Sequence, residues 1–339
     1  MQSYALFIGI DISKHWIDAC LTKDGQVAAM PHRRFDNNAK GFAALLCFIK
    51  QSPLFPKTLK ACLLCMEHTG VYTLPLCAFL ETKDLSYVLE SPYHLKKTLG
   101  IRRGKDDKTD AAHIDRYAYL HRAELKASHL ACDKLLTIKN LLSLRDRLMK
   151  SKKALSVANA ELKTFAKPSV TNSIDTYTQQ TLEPIKETIK CIESEIRNLI
   201  KEDEALDTQF LLLISVKGVG LVIAAALLVY TRAFKAFDNS RKFATYIGLA
   251  PFAKSSGSST YVPPKVSHLA HKHLKGLISC GAASATMHDK ELKAYSERRI
   301  AEGKNLFAVQ NAIRNKFIHR IFAVIKRQTP YVELVKHRV

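Results

Sequence analysis

No glycine occurs between Asp133 and Phe210, charged residues are dense there, and leucine or isoleucine returns at three- and four-residue steps. Such spacing lays one apolar stripe along a helix, so this stretch predicts long amphipathic helices. Leu135, Ile138, Leu141, Leu142, Leu148 and Leu155 mark one stripe; Ile185, Ile189, Ile192, Ile196 and Leu199 mark a second. A break near Pro168–Ser173 predicts an antiparallel pair, a coiled-coil stalk that serves as spacer or dimer contact without chemistry of its own. The chain therefore divides into residues 1–130, a helical stalk over 131–208, and residues 209–339.

The first part reads as α/β. Tyr4–Ile12 and His15–Thr22 are rich in β-formers, and Lys23-Asp24-Gly25 marks a hairpin turn into a third strand, Gln26–Phe35. Asn37 or Asn38 can cap a helix through about Lys50, with Phe42, Leu45, Leu46 and Ile49 at helical spacing. Ala61–Glu67 is nearly continuous apolar, as expected of a strand covered on both faces. A helix over Val71–Thr82, a short strand at Ser86–Glu90 and helical segments from Pro92 follow. Three antiparallel strands and then alternating α and β give the order of a ribonuclease-H-like fold.

The chain carries 52 Lys+Arg against 31 Asp+Glu, a formal charge of +21, which favours a polyanionic partner through counterion release. Its basic residues recur along the whole length rather than in one juxtamembrane tract, favouring a long nucleic acid over a lipid surface. Leu211–Tyr230 is the nearest approach to an apolar span, but Ser215, Lys217, Gly218 and Gly220 interrupt it. No basic segment followed by an apolar one opens the chain, so the expected compartment is cytoplasmic, without membrane attachment. Eight irregularly spaced cysteines form no disulfide framework, and Cys62 and Cys65 read as buried thiols in a strand rather than half a zinc site.

Asp11 lies between Ile10 and Ile12, where a carboxylate is costly to bury unless paired or metal-bound. Glu67 ends the apolar fourth strand. Asp107 and Asp110, three apart, share a helix face. Four converging acids suit Mg²⁺, which prefers hard oxygen ligands and retains waters for substrate phosphates. An isolated strand aspartate can equally be a structural acceptor, and Asp107-Lys108-Thr109-Asp110 a solvated helix start; the ordered set favours a metal site. Asp106 adds a neighbouring acid whose role chemistry alone does not separate from theirs. Arg102, Arg103, Lys105 and Lys108 are placed to contact a phosphate backbone, as a solvated basic loop would also be.

In the last part, Ile214–Val222 joins apolar flanks through Gly218-Val219-Gly220, a helix–hairpin–helix-like turn that lets backbone amides meet phosphate, or else tight helix packing. Ser255 and Ser256 sit on a loop that composition alone would make a linker, with Lys254 and Lys265 nearby. His268, His271 and His273 lack zinc-like companions and are expected to face phosphate or solvent.

Assembled in order, these motifs resemble the insertion-sequence transposases that pair a RuvC-like DEDD domain with a C-terminal serine domain. That family includes the Piv-type DNA invertases and the bridge-RNA-guided recombinases. The resemblance rests on FIGIDISK with Asp11, MEHTGVY with Glu67, and RRGKDDKTDAAHI with Asp107 and Asp110. It continues through Gly218–Gly220, FATYIGLAPFAKSSG, and a basic helix over Asn311–Arg327. It implies a RuvC-like DEDD domain over 1–130, a dimerisation stalk over 131–208 and a serine-bearing transposase domain over 209–339, mostly helical. It also implies Mg²⁺ on Asp11, Glu67, Asp107 and Asp110, and attack on DNA by Ser256, with Ser255 the competing assignment. The implied partners are element-end and target DNA, a guide RNA from the element, and further copies of the chain as a homodimer or dimer of dimers. The sequence departs from the family after the serine: relatives carry a glycine-rich stretch where this chain reads Tyr261-Val262-Pro263-Pro264-Lys265-Val266-Ser267.

Two other function classes share parts of the pattern. A RuvC-like endonuclease would use the carboxylates with water and leave the serine idle; a non-catalytic nucleic-acid-binding protein would use only the charge.

Overall fold

The computed structural model describes residues 4–26, 30–99, 106–130, 132–256, 260–267 and 269–332. The chain forms two compact units, residues 1–130 and 131–339.

The first unit is built on β1 (Leu6–Ile12), β2 (Trp16–Thr22) and β3 (His32–Asp36), followed by α1 (Ala39–Gln51), β4 (Cys62–Glu67), α2 (Leu74–Thr82), β5 (Tyr87–Glu90), α3 (Pro92–Leu99) and α4 (Asp107–Leu120). The sheet order is β3-β2-β1-β4-β5. β1 pairs antiparallel with β2 and β2 with β3, whereas β1–β4 and β4–β5 are parallel. Asn38 starts α1 as expected, its side chain accepting from the Gly41 amide. The third strand is shorter than Gln26–Phe35: it begins at His32, and residues 27–29 lie outside those described. A single 3₁₀ turn, Gly70–Thr73, precedes α2, so the expected helix begins three residues late.

Alternation decides what each face of β1 meets. Leu6, Ile8, Ile10 and Ile12 join Phe42, Leu45, Leu46 and Ile49 of α1 and Leu76, Cys77 and Leu80 of α2 in one core. Phe7 faces the other way, into a second core with Leu63, Cys65 and Val88 of the sheet and Ile114, Tyr117 and Ala118 of α4. Gly9, on this second face, is where α4 comes closest: a Cβ there would lie 2.2 Å from both the Ala111 carbonyl oxygen and the Asp115 amide nitrogen. Only glycine admits the helix so near the strand. Asp11 is the next residue on that face.

The second unit opens with α5 (Asp133–Phe165) and α6 (Pro168–Lys201). Pro168 occupies the first turn of α6, where its missing N–H costs nothing, so the chain reverses at Ala166-Lys167. Ion pairs Lys134–Glu202, Arg145–Glu193 and Lys163–Asp175 run in opposite chain directions and fix the pair as antiparallel. Asn159 is a buried polar residue between them: its Nδ2 donates to Asp175 Oδ1 (2.7 Å), while its Oδ1 has no hydrogen-bond partner. Asn159→Leu is therefore expected to raise the melting free energy by about 1 kcal/mol, checked by thermal denaturation, because an unsatisfied buried acceptor disappears.

The rest comprises α7 (Glu204–Ile214), α8 (Leu221–Tyr230), α9 (Ser240–Tyr246), β6 (Pro251–Ser256), β7 (Thr260–Val266), α10 (Lys272–His288), α11 (Lys290–Ala301) and α12 (Leu306–Arg327). Leu135, Ile138 and Leu142 of α5 and Ile192, Ile196 and Ile200 of α6 share one core with Ala224–Val229 of α8 and Phe317, Ile318 and Ile321 of α12. The ends of α5 and α6 nearest their reversal present Phe165, Val170, Ile174 and Tyr177 to solvent. The described residues include no helix long and apolar enough to cross a membrane.

Candidate active site

Charged side chains gather on the α4 face of the sheet, near the ends of β1 and β4. In the parallel register Gly9 lies beside Cys65, so Asp11 and Glu67, each two residues on, emerge on the same face of adjacent strands. The packing of α4 over Gly9 brings the start of that helix, with Asp107 and Asp110, toward them. Burial and then repulsion from Asp110, Asp107, Glu67 and Asp18 lift the Asp11 carboxyl from 3.8 to about 6. Carboxylates from three distant stretches of sequence thus feel one another's charge at Asp11.

Asp18, Arg34 and His32 complete the group, and nothing in the sequence pattern singled them out. Across β2–β1, Asp18 stands directly opposite Asp11; across β2–β3, Arg34 stands directly opposite Asp18. Arg34 Nε donates to Asp18 Oδ2 (2.9 Å) and Oδ1 (3.2 Å), and His32 Nε2 lies 2.8 Å from Oδ1. Arg34 Nη2 reaches both Asp18 Oδ2 (2.9 Å) and Asp107 Oδ2 (2.6 Å), tying the sheet to the first residue of α4. The sequence signal available was weak: one acid inside the apolar WIDACLT strand and two basic residues at period 2 in the next.

On the far side, Glu90 pairs with Glu67 in the β4–β5 register. Its oxygens are engaged: Oε2 accepts from the Tyr117 hydroxyl (2.9 Å), and Oε1 lies 3.0 Å from His94 Nδ1 and accepts from the Ser91 amide (2.8 Å). Asp106 is the extended residue before α4, and its Oδ2 accepts a long bond from the Thr109 hydroxyl (3.4 Å). Asp115, one turn beyond Ala111, is fully buried with neither carboxyl oxygen hydrogen-bonded, and burial raises its pKa well above the ordinary range.

The donor set fits a hard divalent cation: it is all oxygen, it is negative, and its self-repulsion is what such a charge would relieve. Among the described residues, no three His, Cys, Asp or Glu side chains stand close enough to hold a metal ion. The acids are within range of one another's charge without closing into a ligand cage.

Of the expected phosphate contacts, Lys108 is exposed in the first turn of α4, and Lys265 is exposed on β7. Arg102, Arg103 and Lys105 lie outside the described residues. The serine segment, read from composition as a loop, is instead a strand: β6 pairs antiparallel with β7, Ser255 opposite Tyr261 and Ser256 opposite Thr260. Residues 257–259, between them in sequence, are not among those described. Lys254 lies in the same strand, at a register irregularity between Phe252 and Lys254.

The glycine turn does connect two helices, α7 and α8, and its two glycines differ. Gly218 has φ +93°, and a Cβ there would meet the Gly281 carbonyl oxygen of α10 at 2.3 Å, so helix packing demands it. Gly220 is the N-cap of α8 and faces open space, leaving the helix amides approachable. Expected to face phosphate or solvent, His271 is instead a half-buried cap. Its Nδ1 accepts from the Leu274 amide (3.2 Å) at the start of α10, and its ring lies against Tyr230. His273 pairs with Asp146 (3.1 Å), and His268 lies outside the described residues.

Residues 8–162 match a family model described as "Transposase", of the DEDD type, and residues 211–297 match one described as "Transposase IS116/IS110/IS902 family". Pilin gene-inverting proteins of Moraxella lacunata and Moraxella bovis are each 25% identical over 333 residues, covering 96% of this chain and 97% of the relative. Matches to two transposase models in this order, together with relatives matched over nearly their whole length, support a transposase or recombinase.

Proposed function

We propose that the protein cuts and rejoins the DNA of its own mobile element, using a RuvC-like carboxylate domain of ribonuclease-H type and a serine nucleophile. The observation that carries the reading is the emergence of Asp11 and Glu67 on one sheet face near the start of α4, whose Asp107 and Asp110 add, after burial, to the repulsion that lifts the Asp11 carboxyl to about 6. These four residues would hold Mg²⁺, which when bound supplies positive charge to the phosphate oxygens of the scissile bond.

Ser256 is the proposed nucleophile. Its oxygen forms a bond to the DNA phosphorus as the bond from phosphorus to one strand oxygen breaks; the hydroxyl proton is given up, and the departing strand end is protonated. Attack by a hydroxyl of the recipient strand then reverses the exchange and frees the serine, so no high-energy cofactor is consumed. Lys108, Lys254 and Lys265, with Arg102, Arg103 and Lys105, would hold the phosphate backbone, and the amides at Gly220 would add a helix N-terminus. The charge of +21 accommodates both DNA partners and an element-encoded guide RNA. Assembly as a homodimer or dimer of dimers would bring two cleavage centres to one exchange.

The test is cleavage of labelled element-end DNA with Mg²⁺ and RNA transcribed from the element's flanks. Asp11→Asn, Glu67→Gln, Asp107→Asn and Asp110→Asn are each expected to remove cutting. Full activity in any two of them would defeat the carboxylate assignment.

A further inference from the structure

We infer that Arg34 is a positioning residue for Asp107, anchored by Asp18, and that it sets how tightly the carboxylate site takes a divalent cation. The inference rests on the metal-dependent reading above and extends it to residues outside the four acids.

Three strands carry a row in register: Arg34 on β3, Asp18 on β2 and Asp11 on β1. The Asp18 side chain is only 5% exposed, and both its oxygens are taken up by Arg34 and His32. It therefore has little capacity left for a metal and serves to hold the guanidinium. Arg34 and Asp107, by contrast, are about half exposed, so the 2.6 Å bond between them stands at the open side of the group. A guanidinium fixed at its Nε edge by a buried carboxylate cannot follow a mobile partner; it makes Asp107 come to it. One oxygen of Asp107 is thereby fixed, and the other is left to turn toward Asp11. Without this tie, Asp107 would be an exposed side chain at a helix start, and ordering it would fall to the metal, at a cost in affinity.

The opposite role is physically possible, since a cation beside a dication repels it. The anchoring decides between them: a stand-in charge must be able to leave, and Arg34 is pinned by bonds to Asp18 that do not involve the site's other acids.

The test is calorimetric titration of Mn²⁺ into the full-length, nucleic-acid-free protein, with circular dichroism and melting recorded on every variant. Arg34→Gln is expected to weaken Mn²⁺ binding about tenfold with native helix content, as loss of a residue supporting a ligand does. Arg34→Lys is expected not to rescue, because an ammonium cannot fork between Asp18 and Asp107. Asp18→Asn is expected to weaken binding too, and the double variant to be no worse than Arg34→Gln, since both act through one contact. Unchanged or tighter binding in folded Arg34→Gln or Asp18→Asn overturns the inference while leaving the metal site standing. A wild-type protein that takes up no Mn²⁺ removes the metal reading itself and the inference with it.

Discussion

Asp11→Asn is expected to stabilise the metal-free protein at neutral pH while removing its strand cleavage. The carboxyl titrates near 3.8 in an unfolded chain and at about 6 in the folded one, so the native state holds that proton more tightly. Stability contributed by the protonated form is complete below pH 4 and drains away as pH rises to about 6; above that, the ionised Asp11 is a fixed burden. After allowance for solvent screening at a partly exposed group, the burden is about 1–2 kcal/mol. Asparagine keeps the shape and sheds the charge. Melting in chelator at pH 7.5 should shift upward by a few degrees, while at pH 3.5 the two proteins should melt together. Cleavage should fall by at least about 100-fold. A variant less stable at pH 7.5 would show that Asp11 is a structural acceptor rather than a crowded acid.

Gly9→Ala carries the largest expected loss of stability. The new methyl would stand 2.2 Å from the Ala111 carbonyl oxygen and the Asp115 amide, and 2.7 Å from the Asp115 Cα, all of them backbone. No side-chain rotation can relieve this, so α4 must move off the sheet, at about 3 kcal/mol, the upper range for overpacking. Because α4 carries Asp107 and Asp110, its displacement is expected to uncouple them from Asp11 and lower cleavage with stability. Gly276→Ala in α10 is the control: its Cβ meets nothing within 4 Å, and a helix interior favours alanine by roughly 1 kcal/mol. Chemical denaturation of the two variants should give shifts of opposite sign. Equal small shifts would mean that α4 does not depend on Gly9 for its seat.

The sheet strands were legible because local pattern determines them: Leu6–Ile12 and Cys62–Glu67 are apolar enough to require cover on both faces. Asp11 and Glu67 were legible for the same reason, as acids at the ends of such runs. The role of Asp18 was not, because it depends on a cross-strand register with Arg34 that no local pattern specifies. Gly9 drew no attention for a similar reason: glycine in a strand signals close approach only once α4, about a hundred residues later, is known to arrive. The Ser255-Ser256 segment misled through composition. Hydroxyls and glycine suggest a loop, but Pro251–Ser256 finds a partner in Thr260–Val266, and pairing outweighs propensity in a ribbon. Gly218 was legible as a turn, while its close approach to the carbonyl of Gly281 was not, because α10 follows much later in the chain.

The central claim is that carboxylates and a serine act in one reaction, and the covalent product tests it most directly. Wild-type protein, Mg²⁺, element-end DNA and flank-transcribed RNA would be incubated, denatured, digested and mass-mapped. The expected result is a phosphodiester-linked nucleotide on Ser256, absent in Ser256→Ala and in Asp11→Asn. DNA nicked at full rate by Ser256→Ala, with no protein adduct in the wild type, would contradict it and leave water as the nucleophile.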